Sequence, residues 1–226
     1  MEQINNKAVE RKVRSEKILF EKEIPINQFL PVIENEEDVV IRTKEEIGKR
    51  AVALSVVAMR AEFRLSGASA EEEENMLDFF YNIYNAKEFL TNDEKRFLSN
   101  NNPSQHESMQ YIWRFEALWV LMWALGYIEK LEFPNKICEV KYIATIMTLT
   151  QDFDNLVNAR KLKTKEEILD EADLIFRYNW ACVDARANRK RPPSDINSDV
   201  VMERHKTLNW LINYVDDEWD NVRTDT

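Results

Sequence analysis

The chain has 226 residues, of which 44% are hydrophobic and 32% are charged, and its net charge is −10. This composition is typical of a single folded domain, and the acidity argues against nonspecific binding to nucleic acid or anionic lipid, since both attract basic surfaces. The only glycines are Gly48, Gly67 and Gly126, so the glycine-rich phosphate loops of nucleotide-binding proteins are excluded.

Patterns typical of helix starts recur along the chain. In each, a serine or threonine precedes a glutamate by three residues, so that side chains and backbone donors satisfy one another. These capping boxes are Thr43–Glu46, Ser69–Glu72, Thr91–Glu94, Ser104–Glu107 and Thr164–Glu167. Together with apolar periodicity they predict helices over about 5–22, 44–65, 70–86, 92–99, 105–125, 165–190 and 199–214.

Two stretches lack a clear helical pattern. Residues 24–41 contain Pro25 and Pro31, which predict an extended segment that wraps over the helical body. Residues 138–150 are rich in β-branched side chains and fit either a strand or a buried helix, and a short helix is predicted near 151–160. The sequence therefore predicts a mainly α fold, a single compact multi-helix domain over residues 1–226, with room for one short strand pair.

A buried acid is the main functional clue. Glu116 lies in the most apolar predicted helix, on a face that it shares with Trp113, Trp119 and Trp123. A carboxylate without water costs several kcal/mol unless a cation or hydrogen-bond donors replace the solvent. We therefore expect Glu116 to have a partner elsewhere in the fold or to be held protonated.

The arginines that could pair with Glu116 lie in the last two long predicted helices. Arg204 lies near the centre of an apolar stripe formed by Val201, Leu208, Leu211, Ile212 and Val215, with His205 at its edge and Glu203 and Trp210 on the other side. The stripe of the preceding helix is Ile168, Leu169, Ala172, Phe176, Trp180, Val183 and Ala187. Along its flank, Arg177 can pair with either Asp173 or Asp184.

Two interpretations of these polar residues remain open. In the first, Glu116, Arg177, Asp184 and Arg204 form a buried ionic network that fixes the packing of the helices, with Glu116 paired to Arg204 directly or through Arg177. In the second, the same cluster, with His205 beside it, lines a pocket that binds a polar ligand or acts as acid and base. The walls of that pocket would be Trp119, Trp123 and Trp180.

The C-terminal tail, about 216–226, contains Trp219. A free terminus does not need a tryptophan, so we expect this tail to dock, with Asp220, Asp225 and threonine hydroxyls facing arginines.

Catalytic and metal motifs are missing. Neither histidine, His106 nor His205, belongs to an HExxH or ExxH ligand set, so no metal and no cofactor are predicted. His205 is expected to be solvated or hydrogen-bonded. The longest apolar run, Ala117 to Leu125, is less than half of what a bilayer requires, and no secretion signal is evident at the N-terminus. These features predict a cytoplasmic protein that does not bind membranes.

Several short motifs, taken together, resemble the bacterial family called domain of unknown function 4272. They are Arg11-Lys-x-Arg14-Ser15, Leu30-Pro-x-Ile33, Arg42-x-x-Glu45-Glu46, Trp113-Arg-x-Glu116-Ala-Leu, Leu121-x-Trp123-Ala-Leu-Gly126, Ile168-Leu-Asp170, Arg177-x-x-Trp180-Ala, Glu203-Arg204-x-x-x-Leu208-Asn209-Trp210-Leu and Trp219-Asp-x-Val-x-Thr224-Asp-Thr226. The resemblance implies a shared fold unit of bacterial cytoplasmic origin, but no reaction.

Two functions are compatible with these observations. The sequence favours a noncatalytic interaction or regulatory module whose partner is another protein, because the chain is acidic and lacks catalytic signatures. The alternative is an enzyme or small-ligand binder with a pocket at Glu116, Arg177 and Arg204.

Overall fold

The computed structural model describes residues 6–225, which are mostly helical. The helices are α1 (Asn6–Glu21), α2 (Lys44–Ser66), α3 (Ala70–Tyr84), α4 (Asn92–Ser99), α5 (Gln105–Ile112), α6 (Arg114–Ala124), α7 (Val140–Thr150), α8 (Phe153–Asn158), α9 (Lys165–Ala187) and α10 (Ser198–Leu211). Between residues 6 and 225 no strand is formed, so the mainly α prediction is confirmed and the strand pair does not occur there. The predicted helix start at residue 5 and the terminal Thr226 lie outside the described residues.

Helix starts follow the capping boxes. The boxes are complete at the starts of α2, α3, α4 and α9, where both the hydroxyl and the glutamate side chain make their backbone bonds. At α5, the Ser104 hydroxyl accepts from the amide of Glu107, but the Glu107 carboxylate accepts from Asn100 Nδ2 at 3.1 Å instead. Local side-chain chemistry therefore fixes where most of these helices begin.

Helix ends depart further from the prediction. The helix expected over 105–125 divides at Trp113, whose carbonyl accepts from the amide of Glu116 at 3.0 Å in a tighter, three-residue turn. The helix expected over 165–190 ends at Ala187, and the one expected over 199–214 ends at Leu211. Asn213 follows with a positive φ of 55°, a conformation that ends a helix and that asparagine tolerates.

The stretch 138–150, which fitted either a strand or a helix, contains α7. Its buried residues Ile143, Ile146 and Met147 recur at helical spacing, so periodicity outweighs the β-branched composition. The short helix predicted near 151–160 is α8.

The chain divides into two units of mutually contacting residues. The first comprises the described residues through Arg42, Leu131–Ile137, and the residues from Lys163 onward; the second comprises Thr43–Lys130 and Cys138–Leu162. In the second unit α2 packs against α3, α4, α5, α6 and α8, and its residues 51–58 are fully buried. A single domain over residues 1–226 remains a prediction.

In the first unit, α9 packs against both α1 and α10. Because α9 has neighbours on two sides, it buries a wide arc rather than the single predicted stripe. Phe176 and Trp180 of that stripe are only half-buried, whereas Asp173 and Arg177, expected on its flank, are fully buried. The stripe predicted for α9 is therefore wrong in part.

The last helix, α10, also differs from its predicted stripe. Glu203 and Trp210, which were expected on its outer side, are buried in the structure. Val215, expected in the stripe, lies beyond the end of the helix and is half exposed. α10 is therefore covered on most of its circumference, which a one-sided pattern cannot represent.

Residues 24–41 form turns but no helix or strand. Lysine and arginine side chains donate hydrogen bonds to several of their backbone carbonyls. The donors project from α1 and α9, and the hydrogen bonds measure 2.7–3.3 Å. The pairs are Lys12 with Gln28 and Leu30, Arg11 with Glu34, Arg177 with Pro31, and Lys165 with Glu36 and Val39. Side-chain donors thus replace the backbone partners that regular structure would supply.

The tail is anchored by Trp219, which is 4% exposed and packs edge-on against Trp210 with ring centroids 5.7 Å apart. Asn209 Nδ2 donates to the carbonyl of Arg223 at 2.8 Å, and Arg42 Nη2 donates to the carbonyl of Asp217 at 3.2 Å. These acceptors are backbone carbonyls, and within the tail the Asp217 carboxylate accepts from Arg223 Nε at 3.1 Å.

Candidate functional site

Arg177 is held by a local acid. Its Nε and Nη2 donate to the two carboxylate oxygens of Asp173 at 2.8 and 2.7 Å, and its Nη1 lies 3.9 Å from the Glu16 carboxylate. Of the two acids within reach by sequence, the structure therefore selects Asp173. Asp184 instead accepts a hydrogen bond from Asn188 Nδ2 at 3.1 Å.

Glu116 is buried in the second unit, as its apolar surroundings predicted. Its carboxylate accepts a hydrogen bond from the amide of Cys138, so a backbone donor replaces part of the lost solvent. Arg177 and Arg204 belong to the first unit. The pairing of Glu116 with Arg204 remains a prediction.

The three predicted wall tryptophans have different surroundings. Trp123 is buried in α6, and Trp119 is half-buried and meets the ring of Tyr142 edge-on at 6.2 Å. Trp180 is half-buried on α9, outside the lining of the cavity that contains Arg204.

Arg204 lines a cavity of about 230 Å³ in the first unit, which we call the Glu171 cavity. Its α9 wall is a helical stripe at positions i, i+3, i+4 and i+7, and α10 contributes two residues one turn apart. Ile18 of α1 and Lys22, just beyond the end of that helix, complete this side. The lining residues are Ile18, Lys22, Leu131, Glu132, Phe133, Pro134, Glu171, Leu174, Ile175, Tyr178, Arg204 and Leu208. The cavity is therefore mostly apolar, with a few charged groups.

The irregular stretch Leu131–Ile137 closes one side of this cavity and is fixed at two points. Arg204 Nη1 donates to the carbonyl of Glu132 at 2.7 Å, and the amide of Asn197 donates to the carbonyl of Pro134 at 2.8 Å. Between these points the Phe133 ring meets Tyr178 edge-on, with centroids 5.7 Å apart. This wall is thus preformed.

Two cationic and two acidic residues belong to the lining of the cavity, namely Lys22, Arg204, Glu132 and Glu171. Lys22 Nζ lies 4.4 Å from the centroid of the Phe133 ring, and the Arg204 guanidinium is buried. Burial raises the pKa of Glu171 from 4.5 to about 7, while Arg204 opposes this rise and Asp170 adds to it. Burial also raises the pKa of the Tyr178 hydroxyl, which stays protonated at neutral pH.

Glu171 is a half-buried acid of this site that makes no hydrogen bond to the described protein. Within residues 6–225 no backbone or side-chain group forms a hydrogen bond with its carboxyl. A titratable side chain with a strongly shifted pKa inside a cavity is a recognised mark of a functional site. We therefore take the Glu171 cavity as the candidate site.

Glu171 is not among the site residues predicted from the sequence, although its position in an apolar helix face could have indicated it. Glu171 shares a helix face with Leu174, Ile175 and Tyr178, and is thus an acid within an apolar face, as Glu116 is. Phe133 and Lys22 gave no such signal, because only the fold brings them beside α9.

His205 differs from its expectation of being solvated or hydrogen-bonded. It is 1% exposed, and within the described chain its Nδ1 has no hydrogen-bond partner. Burial lowers the pKa of its imidazole from 6.5 to about 4. His205 lines a different cavity from that of its neighbour Arg204.

The chain belongs to the family described as Domain of unknown function (DUF4272), which matches residues 11–222 and confirms the resemblance. Comparison with curated proteins and with solved structures finds no significant match. In the part of the chain that the structure describes, no helix combines the length and apolar character needed to cross a bilayer. Nor, among those residues, do three or more His, Cys, Asp or Glu side chains group as metal ligands would.

Proposed function

We propose that this protein is a noncatalytic regulatory module of the bacterial cytoplasm, which binds a small zwitterionic molecule in the Glu171 cavity and acts on a partner protein. The main support for this ligand class is the Glu171 carboxyl, which has no hydrogen-bond partner within residues 6–225 and lines the same cavity as Arg204. The acidity of the chain and its lack of catalytic motifs support the regulatory role.

The two signs of charge in the cavity favour a ligand that carries both. The ammonium group of the ligand would pair with the Glu171 carboxylate, and the carboxylate of the ligand would pair with Arg204 and Lys22. The apolar side chains between them, among them Ile175 and Leu208, suit a branched aliphatic or aromatic body. Each charge-assisted hydrogen bond contributes about 1.5–3 kcal/mol, so a molecule that lacks either charged group should bind at least about tenfold more weakly.

Calorimetric titration with three matched probes tests this ligand class. Leucine carries both charges, 4-methylpentanoate lacks the ammonium group, and isoamylamine lacks the carboxylate. We expect leucine to bind most tightly, and we expect Glu171→Gln to remove its advantage over 4-methylpentanoate. Glu166→Gln, on the exposed side of α9, is the matched control and should bind leucine as the wild type does. Equal binding by all three probes, or by Glu171→Gln and wild type, would contradict the proposal.

The raised pKa of Glu171 predicts a pH dependence of stability without any ligand. The native state holds this proton with a pKa of about 7, against 4.5 for an unperturbed carboxyl. The resulting stabilisation is fully present below about pH 4.5 and is lost as the pH rises through 7. Relative to Glu171→Gln, the wild type should therefore lose stability between pH 5 and pH 8 in denaturant unfolding. A difference between the two proteins that does not change with pH would show that Glu171 is solvated.

An acid–base enzyme is the second candidate, favoured by the same pKa, because a general acid or base works best with a pKa near the operating pH. Proton NMR of leucine incubated with the protein in D₂O separates the two functions. A noncatalytic binder leaves the α-proton signal unchanged, whereas a general base at Glu171 would replace that proton with deuterium.

A further inference from the structure

A second cavity, which we call the His205 cavity, lies in the first unit and has a volume of about 250 Å³. Segment 24–41 covers one side of it, and α9 and α10 form the floor. Ile33, Phe176 and Ile212 are apolar walls, and His205, Asn209 and Tyr214 are polar ones. None of the residues that line this cavity lines the Glu171 cavity.

His205 is the polar group that this cavity leaves unsatisfied. Its side chain is 1% exposed, and its Nδ1 has no partner within the described chain. Buried nitrogen atoms without a hydrogen bond are uncommon in folded proteins, because desolvation is then uncompensated. A ligand atom in the cavity would supply the missing bond.

The imidazole is neutral under ordinary conditions, since burial lowers the pKa of His205 to about 4. One ring nitrogen of a neutral imidazole donates and the other accepts, and the tautomer decides which. A hydroxyl group can satisfy Nδ1 in either tautomer, because it both donates and accepts. A carbonyl or an ammonium group could satisfy only one of them.

The charged residues that line the His205 cavity argue against an anionic ligand. The carboxylates of Glu34 and Asp225 are exposed at its lining, and among residues 6–225 no lysine or arginine belongs to that lining. The amide nitrogen of Asn209 is already engaged with the carbonyl of Arg223 at 2.8 Å. An anionic group would therefore face like charges and a neutral imidazole.

The side chains that form the walls of the His205 cavity favour a ligand with an aromatic ring. The Phe176 ring lies 6.0 Å from the His205 ring and is tilted by 50° to it, and the Arg177 guanidinium lies 5.9 Å from the centre of the Phe176 ring. Together with the aliphatic walls, these rings suit the flat apolar surface of an aromatic ring. We propose that the His205 cavity is a second binding site, which takes a small uncharged aromatic molecule bearing one hydroxyl that hydrogen-bonds His205 Nδ1. This site is independent of the ligand proposed for the Glu171 cavity.

Nitrogen NMR of the full chain with ¹⁵N-labelled histidine tests this site directly. The protein has two histidines, and the exposed His106 serves as an internal control. Titration with phenol should shift the Nδ1 resonance of His205 and leave His106 unchanged. Benzene, which lacks the hydroxyl, should bind about three- to tenfold more weakly, as expected for one lost hydrogen bond, and benzoate should not bind.

Two variants test the roles of the imidazole and of the cavity separately. His205→Leu should remove the preference for phenol over benzene. Ile33→Trp should fill the cavity from the segment side while His205 stays in place, and should abolish the phenol-induced shift. The proposal fails if phenol leaves His205 unchanged, if it shifts both histidines alike, if benzoate binds as well as phenol, or if Ile33→Trp responds as the wild type does.

Discussion

Replacing Asp173 with alanine should lower the free energy of unfolding by about 3–5 kcal/mol, because it removes the carboxylate that makes two hydrogen bonds with the buried guanidinium of Arg177. Both side chains are almost fully buried, at 0% and 1% exposure, and they share two hydrogen bonds. Such a loss is a large part of the roughly 5–15 kcal/mol that stabilises a typical domain. Urea unfolding of the purified protein measures it.

Asp93→Ala is the matched control for this experiment. Arg96 Nη2 lies 2.6 Å from Asp93 Oδ1, about as close as Arg177 Nη2 lies to Asp173 Oδ1 at 2.7 Å, but both side chains are more than half exposed. Solvent screens such a pair, so its loss should cost less than about 1 kcal/mol. If the two variants lose equal stability, burial does not govern the strength of the Asp173–Arg177 pair.

Trp219→Ala should cost about 3–5 kcal/mol of unfolding free energy, since truncation of a buried tryptophan removes its transfer free energy and leaves a cavity. The substitution also removes the edge-on contact with Trp210. Phe29→Ala is the control in the same unit, because Phe29 is 97% exposed and should contribute little. Thermal and urea unfolding compare the two. A Trp219→Ala protein as stable as Phe29→Ala would show that the tail does not support the first unit.

Helix starts could be predicted from the sequence because the chemistry that fixes them is local. A capping box involves residues three positions apart, and four of the predicted boxes are complete in the structure. The division at Trp113 was not predicted, because Trp113 itself keeps helical backbone angles and no glycine or proline marks the change. The sequence pattern over 105–125 therefore continues where the helix does not.

The candidate site was predicted only in part. The i,i+4 spacing identified Asp173 as a possible partner of Arg177, and the structure pairs them. Glu171 was missed because a single stripe was assigned to a helix that packs on two sides. The residues opposite it, Leu131–Ile137, come from a separate part of the chain, and only tertiary contacts bring them together.

The anchoring of segment 24–41 sets an order in which the first unit is completed during synthesis. Its earlier part is tied to α1 by Lys12 and Arg11, over separations of 16–23 residues, which close at a small entropic cost. In its later part, the backbone carbonyls of Glu36 and Val39 accept hydrogen bonds from Lys165, 126–129 residues further along the chain. The ribosome must therefore add more than a hundred residues before the second set of donors exists. Until then Lys165 is not available to donate to the carbonyls of Glu36 and Val39, so only part of the hydrogen bonds that hold this segment can form.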